Sequence, residues 1–175
     1  HRNRIFTSDA VGQYWTAFFA WPTKIVEWKG LTGIVIPFYD KKFFFDGIDP
    51  SWPFIKNGQE KNGKWFSSAK LINKFVPVNQ KGTFLSRLHM CLKIARAMRR
   101  LHAAGLAHSD LSYNNVLVDP LSGNACIIDC DGLVVPHKFP PEVVGTPGFI
   151  APEVLATKAL KVDNPKKNLP QISTE

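Results

Sequence analysis

The chain has 175 residues, 45% of them hydrophobic and 21% charged, with 13 Phe and 5 Trp. That length and composition suit one globular domain with an aromatic-rich core, and exclude collagen-like, low-complexity and strongly disordered classes. The net charge of +8 is uneven: residues 41–100 hold 13 basic and 3 acidic side chains, whereas residues 101–153 hold 1 and 6. A lone acidic stretch inside a basic chain is the place to look for a metal.

Residues 15–39 alternate short runs of β-branched and aromatic residues with turn signals, which predicts two strands joined by a turn near Lys29-Gly30. Residues 40–82 are rich in Lys, Asn, Gly and Pro and read as a long irregular connection with one helical turn near Ser68 to Phe75. From 84 to 102 the periodicity becomes helical. Leu85, Leu88, Leu92, Ala95, Met98 and Leu101 recur at three- and four-residue steps, opposite Arg87, Lys93, Arg96, Arg99 and Arg100. Thr83 is the expected N-cap and Gly105 the stop. Two strands follow, at 116–119 and 125–129, around a Pro-Leu-Ser-Gly turn. The last twenty residues show no usable periodicity, and no internal repeat is present.

Three cysteines, Cys91, Cys126 and Cys130, fit neither a disulfide framework nor a paired zinc motif, so reduced thiols in the cytoplasm are expected. No charge-free run nears the roughly 18 apolar residues of a membrane span, and no membrane partner is expected. No signal peptide opens the chain, whose start at His1 rather than Met reads as a cut piece. The lysines of 56–81 lie among Asn, Gly and Gln and read as a solvated loop rather than a nucleic-acid surface.

The chemistry-bearing text runs from Leu101 to Leu133, followed by Gly145 to Val154. Phosphoryl transfer to a hydroxyl needs a carboxylate to orient the nucleophile and take its proton, and oxygen ligands for the Mg²⁺ that accompanies a triphosphate. Asp110 follows the helix, Asn115 comes five residues later, and Asp129 ends an apolar strand after a short hairpin. Three oxygen donors from two adjacent loops make a hard-cation set. Singly each is an ordinary turn former; the ordered set is not. Asp129 rather than Asp131 is the expected main ligand because the apolar run ends at Ile128; Asp131 reads as a solvated loop residue, with an additional metal ligand as the alternative.

His108-Ser109-Asp110-Leu111-Ser112-Tyr113-Asn114-Asn115 resembles the protein-kinase catalytic loop, Asp129-Cys130-Asp131 the metal-binding segment, and Gly145-Thr146-Pro147 through Ala151-Pro152-Glu153 the end of an activation segment. The resemblance implies an α+β, protein-kinase-like fold: a partial small lobe and hinge over 1–39, and a partial, mainly helical large lobe over 40–175. It implies Asp110 as the catalytic carboxylate with Thr146 hydrogen-bonded near it, Asn115 and Asp129 as Mg²⁺ ligands, and Ile36, Pro37 and Tyr39 as the gatekeeper and hinge for ATP. A protein hydroxyl is the implied acceptor, of the serine/threonine type. Ser109 replaces the usual Arg, Ser112 a Lys, and Cys130 and Asp131 a Phe and a Gly. These departures keep a pseudokinase or nucleotide-binding scaffold open as the alternative. A small-molecule kinase is disfavoured by the Gly145–Val154 text, which resembles a peptide platform. Residues 132–144 contain no Ser, Thr or Tyr, so with Ser109 in place of Arg no phosphorylation switch is expected there. Without a Gly-rich loop or a partner Lys and Glu before the hinge, the isolated chain is expected to be marginally stable with negligible activity.

Overall fold

The computed structural model describes residues 15–135 and 145–156. Residues 15–18 are helical, and Phe19 then forms an isolated parallel bridge to Ile127, so the expected strand character starts only at Lys24. Strands β1 (Lys24–Trp28) and β2 (Leu31–Val35) pair antiparallel across the two-residue turn Lys29-Gly30, with Trp28 opposite Leu31. Every residue of β1 is exposed.

The irregular stretch that follows is tied down by 3₁₀ turns at Lys41–Phe43, Gly63–Phe66 and Val78–Gln80. Its predicted helical turn is helix α1 (Ala69–Phe75), capped by the Ser68 hydroxyl, which accepts from the Leu71 amide at 3.2 Å. Ile72 is the buried residue of this helix, and Phe45, Ile48, Ile55 and Val76 form a small aromatic-flanked core.

Helix α2 spans Phe84–Ala103. Both of its ends are local chemistry. Thr83 and Ser86 cap each other reciprocally, at 3.0 Å and 2.9 Å. At the other end Gly105 takes φ +72; its amide donates to His102 O and the Leu106 amide to Leu101 O, closing a Schellman motif over two buried leucines. The buried face of α2 differs from the expected one. Met90, Ala97 and Leu101 are buried, with Ile94 and Met98 packed against them, whereas Leu85, Leu88, Leu92 and Ala95 are exposed. The sequence carries two apolar stripes on this helix. Only the one through 90, 94, 97 and 101 continues into Leu106 and meets the strands behind it.

Those strands are β3 (Ala107–His108), β4 (Val116–Asp119), β5 (Asn124–Ile127) and β6 (Leu133–Val134), paired antiparallel as β3–β6 and β4–β5. β4 and β5 are buried on both faces, which is why they read as unbroken apolar runs. Val116 and Val118 join α2 in the main core, while Leu117, Cys126 and Ile128 pack with Ala20 and Phe43. A short helix α3 (Pro152–Ala156) ends the described chain. The segment that carries no Ser, Thr or Tyr lies mostly outside the described residues, at 136–144, as does the tail 157–175.

Candidate active site

The rigid β4–β5 hairpin sits between two loops and holds them together. Loop 109–115 enters β4, and Asp129 leaves β5 one residue after Ile128, whose amide donates to Asn115 O at 3.0 Å. His108 closes the same junction, its Nε2 lying 3.1 Å from Ile128 O. Asp129 has φ +61 and ψ +47, a left-handed conformation that a non-glycine residue adopts at a cost and that clusters at functional sites.

Asp110 is half-buried and densely coordinated. Its Oδ1 accepts the Thr146 amide at 2.7 Å and the Thr146 hydroxyl. Asn115 Nδ2 donates to the Asp110 carbonyl at 2.7 Å and reaches Oδ2 at 3.3 Å. The carboxylate is thus fixed in direction from two sides, by the loop it belongs to and by a segment 36 residues away. Tyr113 and Phe149 stack edge to face at 4.8 Å between centroids and reinforce that second contact.

Beside this cluster lies a cavity of about 420 Å³. Ile34, Ile36, Ile128 and Pro22 give it an apolar side, and Tyr39, Glu60, Asn62, Asn114, Asn115 and Asp129 a polar one. It carries no Lys or Arg among the described residues. Burial raises the Tyr39 phenol above its ordinary value, with Glu60, the two nearby thiols and Asp129 adding to the effect. Of the expected site residues, Ile36, Tyr39, Asn115 and Asp129 line this one cavity, whereas Pro37 is exposed and does not. Asp110 and Thr146 stand outside its wall, joined to it through Asn115.

The donors suit a nucleotide-borne Mg²⁺. Among the described residues no three His, Cys, Asp or Glu side chains are grouped to hold a metal by themselves. One carboxylate and one amide oxygen on a shared cavity are what Mg²⁺ uses when substrate phosphates and water complete its shell.

Several members of the site depart from the motifs or lie outside them. Ser109, which stands where an Arg was expected, donates its hydroxyl to Gly132 O at 2.6 Å and its amide to the same oxygen at 3.2 Å. It therefore couples the Asp110 loop to the Asp129 loop directly. Glu60 and Asn62 come from the polar stretch that reads as solvated loop, and only their tertiary placement reveals them.

Part of the chain is similar in sequence to known protein kinases. The protein kinase domain model matches residues 69–165, more than half the chain. Dual specificity testis-specific protein kinase 1 of Rattus norvegicus is 42% identical over 78 residues, covering 39% of this chain and 12% of that protein. A dual serine/threonine and tyrosine protein kinase of Apis mellifera is 32% identical over 74 residues, covering 42% and 8%. Serine/threonine-protein kinase dkf-1 of Caenorhabditis elegans is 34% identical over 74 residues, covering 39% and 10%. The chain thus spans about a tenth of the length of these relatives. No solved structure matches. With an oriented loop carboxylate, its amide neighbour and a left-handed Asp after the hairpin on the page, and with a match that contains all three, the chain belongs to the protein kinase domain family.

Proposed function

We propose that the protein containing this chain transfers the γ-phosphoryl group of ATP to a hydroxyl of a protein substrate, of the serine/threonine type. The reading rests above all on the Asp110 carboxylate, held by Thr146 on one oxygen and Asn115 on the other. A carboxylate pinned in this way is ready to accept a hydrogen bond from an incoming hydroxyl and to take its proton as transfer proceeds. The nucleotide would occupy the adjacent cavity, its base against Ile34, Ile36 and Ile128 and its phosphates toward Asn115 and Asp129. Mg²⁺, when bound there, supplies charge neutralisation for the transferring phosphoryl group. Asn115 would serve twice, its amide nitrogen toward Asp110 and its oxygen toward the cation. Tyr39, which lines the cavity, would supply the hinge amide; Pro37, which does not line it, has no N–H to offer. The three free thiols support a reducing, cytoplasmic setting.

The test is transfer of a radiolabelled γ-phosphate to a library of Ser-, Thr- and Tyr-containing peptides by the full-length protein. Asp110→Asn should lower the rate by at least a hundredfold without weakening MgATP binding. Tight MgATP binding with no transfer would instead support the scaffold reading.

A further inference from the structure

Residues 60–63 lie ahead of the family match, which begins at residue 69, yet they form a strap across the catalytic loop. Asn62 makes an isolated antiparallel bridge to Leu117, and the Val118 amide donates to Lys61 O at 2.9 Å, fixing the strap along the edge of β4. On its other side the Lys61 amide donates to Phe43 O at 2.8 Å, and Phe44 bridges Glu60. Lys61 is buried, its ammonium donating to Lys42 O at 3.0 Å and lying 3.9 Å from the Asp119 carboxylate. So anchored, the strap presents one side-chain amide to the loop. Asn62 Nδ2 donates to Asn114 O at 3.2 Å and to Glu60 Oε2 at 3.3 Å, spending both of its hydrogens. Gly63 follows so closely that a Cβ there would stand 3.2 Å from Tyr113 O.

We infer that Asn62 is a positioning residue. It holds the Tyr113–Asn115 turn against the β4 edge and thereby sets where Asn115 meets both Asp110 and the cavity. Asn114 is the residue just before Asn115, so a shift of its carbonyl moves the Asn115 amide that reaches Asp110. Glu60, which lines the cavity, accepts from the Asn62 side-chain amide and holds it in place. The loop's geometry then depends on a segment that none of the motif residues belongs to. The role of Asn115 in metal binding rests on the function proposed above; the positioning role does not.

The experiment is amide hydrogen exchange on the full-length protein without nucleotide, for the wild type, Asn62→Ala and Asn62→Gln. Loss of one hydrogen bond of ordinary strength should raise exchange at 113–115 by about fivefold in Asn62→Ala. The amides of α2 should be unchanged, and Asn62→Gln, which keeps the donor, should recover part of the protection. Unchanged exchange at 113–115, an equal rise throughout α2, or a Gln variant no better than Ala would each overturn the inference. A second arm titrates MgATP: Asn62→Ala should weaken binding several-fold and Asn62→Gln should recover part of the affinity, and unchanged affinity in Asn62→Ala would count against positioning. If the wild type bound no MgATP, the proposed function would fall while the exchange result still decided the role of Asn62.

Discussion

Gly145 is the point at which the chain turns toward Asp110. Its φ is +94, and a Cβ placed on it would lie 2.7 Å from the Ser109 carbonyl oxygen, a backbone atom held in turn by the bonds between Ser109 and Gly132. Gly145→Ala therefore adds a positive-φ cost of about 1–2 kcal/mol and a clash that no side-chain rotation relieves. The next residue, Thr146, makes two hydrogen bonds to the Asp110 carboxylate. Bonds to charged groups stabilise by roughly 1.5–3 kcal/mol each, less here because the pair is only half-buried. The strain and the attachment are thus of similar size, and the segment should partly release from the loop. Gly148→Ala is the matched control: φ is +87 there, but nothing lies within 4 Å of the added Cβ, so only the conformational cost applies. Hydrogen exchange at the Thr146 amide reads the difference. A loss of about 1.4 kcal/mol is tenfold in exchange, and Gly145→Ala should reach or exceed that while Gly148→Ala falls short of it. Equal protection of Thr146 in the two variants would refute the argument that the Ser109 contact forces the chain at this glycine.

Leu101→Ala should destabilise by about 2–5 kcal/mol, since Leu101 is wholly buried, whereas Leu92→Ala, at 53% exposure, should stay within about 0.5 kcal/mol; urea denaturation of both variants checks which stripe of α2 faces the core. Thr83→Ala removes one half of the capping pair and should cost about 1 kcal/mol, with Ser86 amide exchange rising first. Burial pushes the Cys126 thiol up to about 11 from 9.0. The unfolded thiol ionises first, so its contribution is complete below pH 9 and is lost as pH climbs toward 11. That amounts to about 2–3 kcal/mol, and Cys126→Ala should flatten the stability curve in that window.

How much of this was legible beforehand depended on range. The ends of α2 were readable because Thr83 to Ser86 and His102 to Leu106 are decided within a few residues. The β1–β2 hairpin was readable because a Lys-Gly pair between β-branched runs leaves little choice of turn. The ordered trio Asp110, Asn115 and Asp129 was readable as a motif, and the structure adds why it coheres, through the Ile128–Asn115 bond and the Asn115 amide. The burial of α2 was not readable: with apolar residues at both 85, 88, 92 and 90, 94, 97, periodicity alone does not say which stripe meets β4 and β5. Ser109 read as a missing Arg, and only its bond to Gly132 O shows what a short hydroxyl does there. Glu60 and Asn62 were hidden because their surroundings are polar and the Asn114 carbonyl that Asn62 meets lies 52 residues away.

The central claim is that Asn115 and Asp129 share a cation carried by the nucleotide in the cavity beside Asp110. Replacing Mg²⁺ by paramagnetic Mn²⁺ and titrating the full-length protein with ATP tests it directly. The account predicts nuclear broadening centred on the Asn115 and Asp129 amides that Asp129→Ala removes. Broadening centred elsewhere, at Asp119 for example, or unaffected by Asp129→Ala, would contradict it.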